Sequence, residues 1–149
     1  MILPDTNLLL YAFRAEFPEH AATRRWLDGM LASRQGMIIH PLAGCAFLRL
    51  TTRPLGPLPP APLSLAVAFL GALEHTCGGG ALTEKPAHAS VLARLCAEHR
   101  IAGDSIVDAW LAASAITLHI TLASHDRGFK RFTPELDWLD PLPVPNEPT

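Results

Sequence analysis

Short apolar segments alternate with longer amphipathic segments along this chain. The short ones predict buried strands at Ile2–Pro4, at Gly36–His40 (GMIIH) and at Ile120–Ala123. A further short strand is predicted around Ala81–Thr83. Strands that alternate with helices are typical of a mostly parallel sheet covered on both faces, so the pattern predicts the α/β class.

The longer segments predict helices, because their apolar positions recur three or four residues apart. One of them has Trp26, Leu27, Met30 and Leu31 as its apolar stripe. The segment RPLGPLPPAP, residues 53–62, contains too many prolines for a regular element and predicts a surface loop. A first helix is predicted to begin within Asn7–Ala12, and others to cover His20–Ala32, Leu42–Thr51, Leu63–His75, Pro86–His99 and Asp104–Leu118.

Length and composition limit the class of protein. A chain of 149 residues is one ordinary domain, and its 49% apolar content excludes general disorder. We find no internal repeat and no linker, so we predict a single domain over residues 1–142 and a frayed tail over 143–149. The net charge of −2 argues against a surface that binds nucleic acid everywhere, so a polyanion would have to meet a local basic patch.

The cysteines and the apolar runs give an expectation for the compartment. Cys45, Cys77 and Cys96 are odd in number and form no CxxC pair, which favours buried free thiols in a reducing cytosol. No secretory leader is recognisable, and no apolar run approaches the roughly 18 residues of a membrane span. We therefore expect a cytoplasmic protein.

An aspartate follows two of the predicted strands at the point where each strand ends. Asp5 comes directly after Ile2–Pro4, and Asp126 lies just beyond Ile120–Ala123. In open α/β sheets, sites form beyond the C-terminal ends of the strands, so these two carboxylates are predicted to come together. Each aspartate taken alone is equally well explained as a helix N-cap or a turn residue.

The predicted helix Asp104–Leu118 carries two more aspartates on one face. Asp104 follows Gly103, and its simplest role is the helix N-cap. Asp108 has apolar neighbours that leave little room for a fully solvated face. An acid near a helix N-terminus also gains from the macrodipole, which is the alternative explanation for Asp108.

Carboxylates that converge on one point repel one another, and one of them is driven towards its neutral form. A hard divalent cation removes this conflict, since Mg²⁺ and Mn²⁺ prefer oxygen ligands and are commonly shared with phosphate. The corresponding chemistry is phosphodiester hydrolysis by a metal-activated water. The histidines show no HxxxH or HExxH spacing, so a zinc hydrolase has no support.

The chain resembles the PIN-domain ribonucleases of the VapC type, which are toxins of bacterial toxin–antitoxin pairs. The resemblance rests on MILPDTNLLLYAF, PEHAATRRWLDGML, AFLRLTTRP, DAWLAASAI, TLASHDRGFKRF and LDWLDPL, which occur in that order over nearly the whole chain. It implies a three-layer α/β/α fold and a Mg²⁺- or Mn²⁺-dependent endoribonuclease that acts on RNA. It also implies a homodimer and inhibition by a small VapB-like antitoxin. Helices near Trp26 and over Leu42–Leu50 would line a groove for the antitoxin, or equally well form the homodimer contact.

The resemblance also implies roles for individual residues. The family's glutamate before FLR is replaced here by Ala46, and Asp104 is a candidate replacement ligand. The runner-up hypothesis, which rests on Ala46, is an inactive PIN fold that acts as a binding or regulatory partner. The catalytic, metal-binding acids are Asp5, Asp108 and Asp126, with Thr6, Asn7 and Ser124 as the small polar groups beside the metal.

Basic residues near these acids are candidates for holding the RNA backbone. Arg127, Lys130 and Arg131 form the densest basic cluster, and a solvated loop is the alternative for them. Arg49 is predicted to contact phosphate or the acids, or equally to form a structural ion pair. We interpret His125 as a solvated loop residue, with a base or a ligand as the alternative, and Trp26 and Trp110 as core or dimer contacts.

Overall fold

The sheet consists of parallel strands, as the pattern predicts. The computed structural model describes residues 1–33, 35–76 and 82–143. Within these ranges Leu3 pairs with Leu122, and Leu122 pairs in turn with Trp138, all in parallel register. The strand order is β1 (Ile2–Pro4), β2 (Thr121–Ala123) and β3 (Trp138–Leu139).

Helices make up most of the rest of the fold. Their predicted positions are confirmed to within about two residues, except that Asp104 lies in a separate 3₁₀ turn, Gly103–Ser105, ahead of its helix. A second 3₁₀ helix, Arg127–Phe132, connects β2 to β3. Within the described ranges the α-helices are α1 (Thr6–Phe13), α2 (His20–Ala32), α3 (Pro41–Thr51), α4 (Leu63–Thr76), α5 (His88–Glu98) and α6 (Ile106–Leu118).

The predicted strand at Gly36–His40 is wrong in extent. Met37 alone forms a parallel bridge, to Ile2 on the free edge of β1. The segment ends there because the chain turns into α3, where the His40 imidazole accepts a hydrogen bond from the Leu42 amide (3.0 Å) and Pro41 opens the helix.

Two other expectations fall at the limits of the described residues. Leu82 and Thr83 form no strand, and Ala81 lies outside the described residues. Of the predicted tail 143–149, all but Pro143 also lies outside them. The sequence pattern missed β3, because two residues are too few to show alternation.

The core lies where α6 packs on β2 and α5. Ala109, Ala112, Ala113 and Ala115 are buried on α6, and such small side chains let the helix approach the sheet and α5 closely. The strands β1 and β2 are buried almost throughout, as parallel strands covered by helices are. This packing fixes the first turn of α6, and therefore Asp108, against the C-terminal ends of the strands.

The cysteine prediction needs a correction. Cys45 is exposed on α3 and Cys96 is half-buried, so neither is a fully buried thiol, while Cys77 lies outside the described residues. The side chain of Cys45 lies on the outer face of α3, because residues such as Ala43 and Phe47 form the buried face. Within the part of the chain that the structure describes, no helix is long and apolar enough to cross a membrane.

The two tryptophans on helices differ in their surroundings. Trp26 is partly buried against the core, which agrees with the prediction for it. Trp110 is 37% exposed, and its indole Nε1 donates a hydrogen bond to Glu84 Oε1 at 3.3 Å.

Candidate active site

Asp5 lies where β1 ends and α1 begins. Its backbone N–H donates to the carbonyl of Ala123 at 2.8 Å, which continues the pairing of β1 with β2 by one residue. Its side chain caps α1, with Oδ1 accepting from the Thr6 amide at 2.6 Å. The capping role of Asp5 is thus real, and it holds the carboxylate in one orientation at the edge of the sheet.

Ser124 connects the ends of the two strands. Its hydroxyl donates to Asp5 Oδ2 (2.8 Å) and accepts from Asn7 Nδ2 (3.0 Å) and from the Asp126 amide (3.0 Å). The side chain is fully buried, so its single proton and both of its lone pairs are used within the protein. Ser124 therefore sets the positions of Asp5, Asn7 and the start of the Asp126 loop together.

The Asp5 carboxyl is in an unfavourable place for a negative charge. Its pKa is raised from the ordinary 3.8 to about 6, mainly by burial and against the opposing hydrogen bonds from Ser124 and Thr6. The nearby charges of Asp108 and Asp126 contribute to this rise. Asp5 and Asp126 therefore lie near each other, as their positions after two strands predict, and Asp108 on the helix joins them.

Asp108 lies in the first turn of α6, where the helix dipole favours an acid. Burial and the charge of Asp126 raise the pKa of its carboxyl, and Arg131 lowers it in part. The contact is direct, since Arg131 Nη2 lies 3.3 Å from Asp108 Oδ2. Arg131 is thus an ion-pair partner of a candidate catalytic acid, a role that its place in a basic cluster did not reveal.

Asp126 is exposed and caps the 3₁₀ helix Arg127–Phe132. Its Oδ1 accepts from the Gly128 amide at 2.7 Å. The neighbouring His125 is not solvated as we expected, because its Nδ1 lies 2.9 Å from Asp140 Oδ1 and both side chains are largely buried. Asp140 follows β3, a strand absent from the predicted pattern, so this partner of His125 was not predicted.

These acids open onto a cavity of about 760 Å³ between α1, α3 and the start of α6. Asp104 is exposed and lies on this cavity, not at the N-cap of α6, where Ser105 stands instead. The N-cap prediction for Asp104 is therefore wrong, because the 3₁₀ turn shifts the helix start by one residue. The polar residues that line the cavity are Asp5, Thr6, Asn7, Arg49, Asp104, Asp108 and Asp126.

The α3 side of the cavity carries Ala46 and Arg49. Ala46 lines the cavity where the glutamate of the resembling family would stand. Arg49 is exposed, and among residues 1–33, 35–76 and 82–143 it forms no ion pair, so the predicted structural pair is absent there. Arg49 is thus a cation on the cavity that holds no carboxylate within this part of the chain.

The predicted basic cluster is divided among different contacts. Lys130 Nζ lies 5.7 Å from the centre of the Trp138 ring, and Arg131 stacks on Phe132 at 4.9 Å while it pairs with Asp108. Arg127 is exposed at the start of the 3₁₀ helix. The three side chains therefore do not form one uniform solvated patch.

The side-chain oxygens on the cavity are candidate ligands for a metal ion. Among the described side chains, no three of His, Cys, Asp and Glu are close enough together to form a ready metal cluster. The donors nevertheless suit a hard cation, since every one is an oxygen and the buried Asp5 carboxyl is repelled by two other acids. Asn7 Oδ1 is also buried without a hydrogen-bond partner among the described residues, beside Asp5 on the cavity. The chemistry of these donors therefore suits a divalent cation.

Two aromatic residues on the cavity were not singled out from the sequence. Tyr11 lies on α1, and Phe17 lies in the loop before α2. The only sequence signal was the continuation of MILPDTNLLL into YAF, which places an aromatic ring near Asp5 on the same helix.

Comparison with known proteins gives a consistent picture. The family model described as PIN domain matches residues 2–133. Ribonuclease VapC25 of Mycobacterium tuberculosis is 37% identical over 132 residues, which cover 89% of this chain and 93% of that protein. Ribonuclease VapC33 of the same organism is 33% identical over 144 residues, which cover 95% of this chain and 99% of the relative.

Solved structures agree at the level of the fold. VapBC2 from Rickettsia felis, bound to a DNA fragment from their promoter, superposes with a TM-score of 0.67 at 14% identity, over 93% of this chain and 98% of that chain. FitAcB from Neisseria gonorrhoeae gives a TM-score of 0.66 at 18% identity, over 95% and 98% of the two chains. The three-layer α/β/α architecture expected from the sequence is confirmed by this similarity.

Proposed function

The chain belongs to the PIN-domain family, among the relatives of the VapC ribonucleases, and we propose that it is the metal-dependent endoribonuclease of a toxin–antitoxin pair. One observation carries the proposal: the buried carboxyl of Asp5 lines a single cavity together with Asp108 and Asp126, and the charges of these two acids help to raise its pKa. Carboxylates that repel one another at the edge of a sheet are typical of a site that binds a cation or carries out a reaction. We assign the activity to a single domain over residues 1–142.

Asp5, Asp108 and Asp126 would hold the cation, which we propose to be Mg²⁺ or Mn²⁺, with Asp104 as an additional candidate ligand. When bound, such an ion activates a water molecule and stabilises charge on the scissile phosphate. Asn7 Oδ1, buried on the same cavity, would bind a water of the ion's hydration shell.

The protein's own groups prepare the site for this reaction. Thr6 and Ser124 each donate one hydrogen bond to Asp5, so its two oxygens keep a fixed orientation. Arg49 is placed to contact the RNA backbone from the α3 side. Arg127 and Lys130 would extend this contact beyond Asp126, and Arg131 would join them when it leaves Asp108.

The partner we propose is a small VapB-like antitoxin. The support is the membership of the family and the resemblance to the VapC-type toxins, together with the shared fold of VapBC2 and FitAcB. An arginine or lysine from that partner would pair with the cavity acids in place of the metal. We also propose that two copies of this chain associate, which light scattering of the purified protein would measure directly.

Cleavage of RNA by the purified chain is the direct test. The protein should cut single-stranded RNA with Mg²⁺ or Mn²⁺, and EDTA should stop it. Asp5→Asn should lower the rate by at least about 100-fold without unfolding, because loss of a metal ligand costs more than loss of its supporting groups. Asp28→Asn, an exposed acid on α2, is the matched control and should cut at the wild-type rate.

Two results would contradict the proposal. Wild-type cleavage by Asp5→Asn would show that the acids are not the site. A folded wild-type chain that cuts no RNA with either metal, and does not slow bacterial growth when expressed without its partner, would favour the inactive, regulatory alternative.

A further inference from the structure

Two aromatic side chains form part of the cavity wall near the acids. Tyr11 and Phe17 line the same cavity as Asp5 and Asp126. Their rings are in contact, with centroids 5.2 Å apart and planes inclined by 56°. The pair, called here the aromatic wall, is only half-buried, so part of its surface remains available to a ligand.

The aromatic wall is held next to the acids by α1 itself. Tyr11 follows Asp5 by six residues, which is about 9 Å along a helix. Burial raises the pKa of the Tyr11 hydroxyl, and the charges of Glu19, Asp5 and Asp126 add to that rise, so the ring lies within the field of the acids. On its other side Tyr11 meets the His125 ring edge-on at 6.4 Å.

The facing wall is formed by α3. Its residues on the cavity include Leu42, Cys45, Ala46 and Leu50, and the two small side chains at 45 and 46 leave space opposite the aromatic wall. Arg49 projects from the same helix without an ion-pair partner among the described residues. A single cavity therefore combines carboxylates, an exposed arginine and a pair of aromatic rings.

We propose that the aromatic wall is a nucleobase subsite: an unpaired base stacks on Tyr11 and Phe17 while the neighbouring phosphate lies at Asp5, Asp108 and Asp126. The proposal rests on the proposed ribonuclease function and deepens it. Single-stranded RNA is recognised by splayed bases that stack on aromatic rings, and a base in a duplex is not free to do so. Because every base has a π-face, this subsite selects unpaired RNA more than it selects a sequence.

The surroundings favour a base over an apolar protein segment as the occupant. The cavity is continuous with the acids, so one nucleotide chain reaches both the rings and the reacting position. Exposed aliphatic side chains suited to a protein helix are more numerous on α4, at Leu63, Leu65 and Val67, while the cavity has Val107. Arg49 adds a phosphate contact that a base-bearing chain uses and an apolar helix does not.

A combined change of protein and RNA tests the contact itself. Fluorescence anisotropy in EDTA, where no cleavage occurs, would compare a short single-stranded oligoribonucleotide with a set in which one base at a time is replaced by an abasic site. Wild-type protein should bind one of these abasic oligonucleotides roughly 5- to 50-fold more weakly than the intact one. Tyr11→Leu should lose that difference, while Tyr11→Phe, which keeps the ring, should retain it.

Controls separate stacking from a general loss of structure. Phe69→Leu removes an aromatic ring that packs on Phe13 and Phe47, outside the cavity, and should keep the abasic difference. Phe17→Leu is a second test of the wall if Tyr11→Leu lowers the melting temperature strongly. The proposal is overturned if Tyr11→Leu and Phe17→Leu both retain the wild-type abasic difference, which would assign the wall to a protein partner. Wild-type protein that neither binds nor cuts RNA would overturn the ribonuclease function itself, before any variant is compared.

Discussion

Two clusters of buried polar side chains lie in this fold, and they are built in opposite ways. In the first, Asp5 lies among like charges and has a pKa raised to about 6. In the second, Glu84 Oε1 accepts hydrogen bonds from Ser114 (2.7 Å) and from His40 Nε2 (2.8 Å), and His88 lies near it at 3.8 Å. Burial raises the pKa of Glu84, but its bonds to Ser114 and His40 outweigh that effect and leave it lowered.

The second cluster contains serine, histidine and glutamate, yet it is not a hydrolytic site. His40 Nδ1 accepts from the Leu42 amide, which places the ring proton on Nε2. That proton is donated to Glu84, so the nitrogen has no lone pair with which to take the proton of Ser114. Ser114 is also fully buried, so no substrate reaches it.

The contrast shows what separates a structural polar network from a functional one. Around Glu84 every near neighbour favours the charged form, so the charge helps to hold α6 to the segment before α5. Around Asp5 the near acids oppose the charged form, and only the capping amide and Ser124 support it. The charged form of a buried carboxylate whose neighbours repel it is stabilised when a cation binds, and otherwise a proton neutralises it.

The largest effect is expected from truncating one acid of each cluster. Asp108→Ala should lower the rate of RNA cleavage by at least about 100-fold with little change in stability, because the side chain is a proposed metal ligand. Glu84→Ala should do the reverse and cost about 1–3 kcal/mol of unfolding free energy, because it leaves His40, Ser114 and Trp110 without their acceptor. Urea unfolding and cleavage assays on both variants measure the two effects. A cleavage defect in folded Glu84→Ala would remove the distinction between the clusters.

The pH dependence of stability should differ in sign from that of an ordinary paired carboxylate. The pKa of Asp5 is about 6 in the folded protein and lies near 3.8 when unfolded, so the folded form binds the proton more tightly. Stability without metal should therefore fall as the pH rises from about 4 to 6, by an amount on the order of 2–3 kcal/mol. Asp5→Asn should lack this fall, as melting curves in EDTA at pH 4 and pH 7.5 would show. A parallel pH profile in the two proteins would contradict it.

A smaller effect is expected from the ion pair of Asp108. Arg131 competes with a metal for this carboxylate, so Arg131→Gln should tighten Mn²⁺ binding by roughly two- to five-fold, the value of a half-exposed ion pair. Arg127→Gln removes a nearby exposed arginine that holds no acid among the described residues, and should change the affinity less. Isothermal titration calorimetry measures both. Weaker binding by Arg131→Gln would mean that the arginine orients Asp108 for the metal.

The smallest effect concerns Asp104. It lies on the cavity and does not cap α6, so Asp104→Asn should leave the melting temperature unchanged. Loss of one exposed charge near the acids should weaken metal binding by about two-fold at low ionic strength. Identical Mg²⁺ or Mn²⁺ titration curves for the two proteins would end its candidacy as a replacement for the glutamate absent at Ala46.

Much of this protein was determined by its local sequence. The apolar run before Asp5 is a strand, the spacing in His20–Ala32 is a helix with the predicted bounds, and the aspartates at 5 and 126 follow their strands. The strand and the helix follow from a periodicity that is visible over a few residues. The placement of the two aspartates follows from the general rule that sites form beyond the C-terminal ends of parallel strands. The helix bounds followed from this periodicity, whereas the family was inferred from the ordered set of motifs that begins with MILPDTNLLLYAF.

Tertiary structure alone decided the contacts between distant segments. Strand β3 consists of only two residues, Trp138 and Leu139, and it forms because they pair with the edge of β2. Ser124 reaches Asp5 across 119 positions of sequence, and Arg131 reaches Asp108 across 23. Such pairings depend on how close the packed helices bring side chains, and no periodicity in the sequence records that distance. For the same reason the sequence could name the acids, while only the fold placed the ring of Tyr11 beside them.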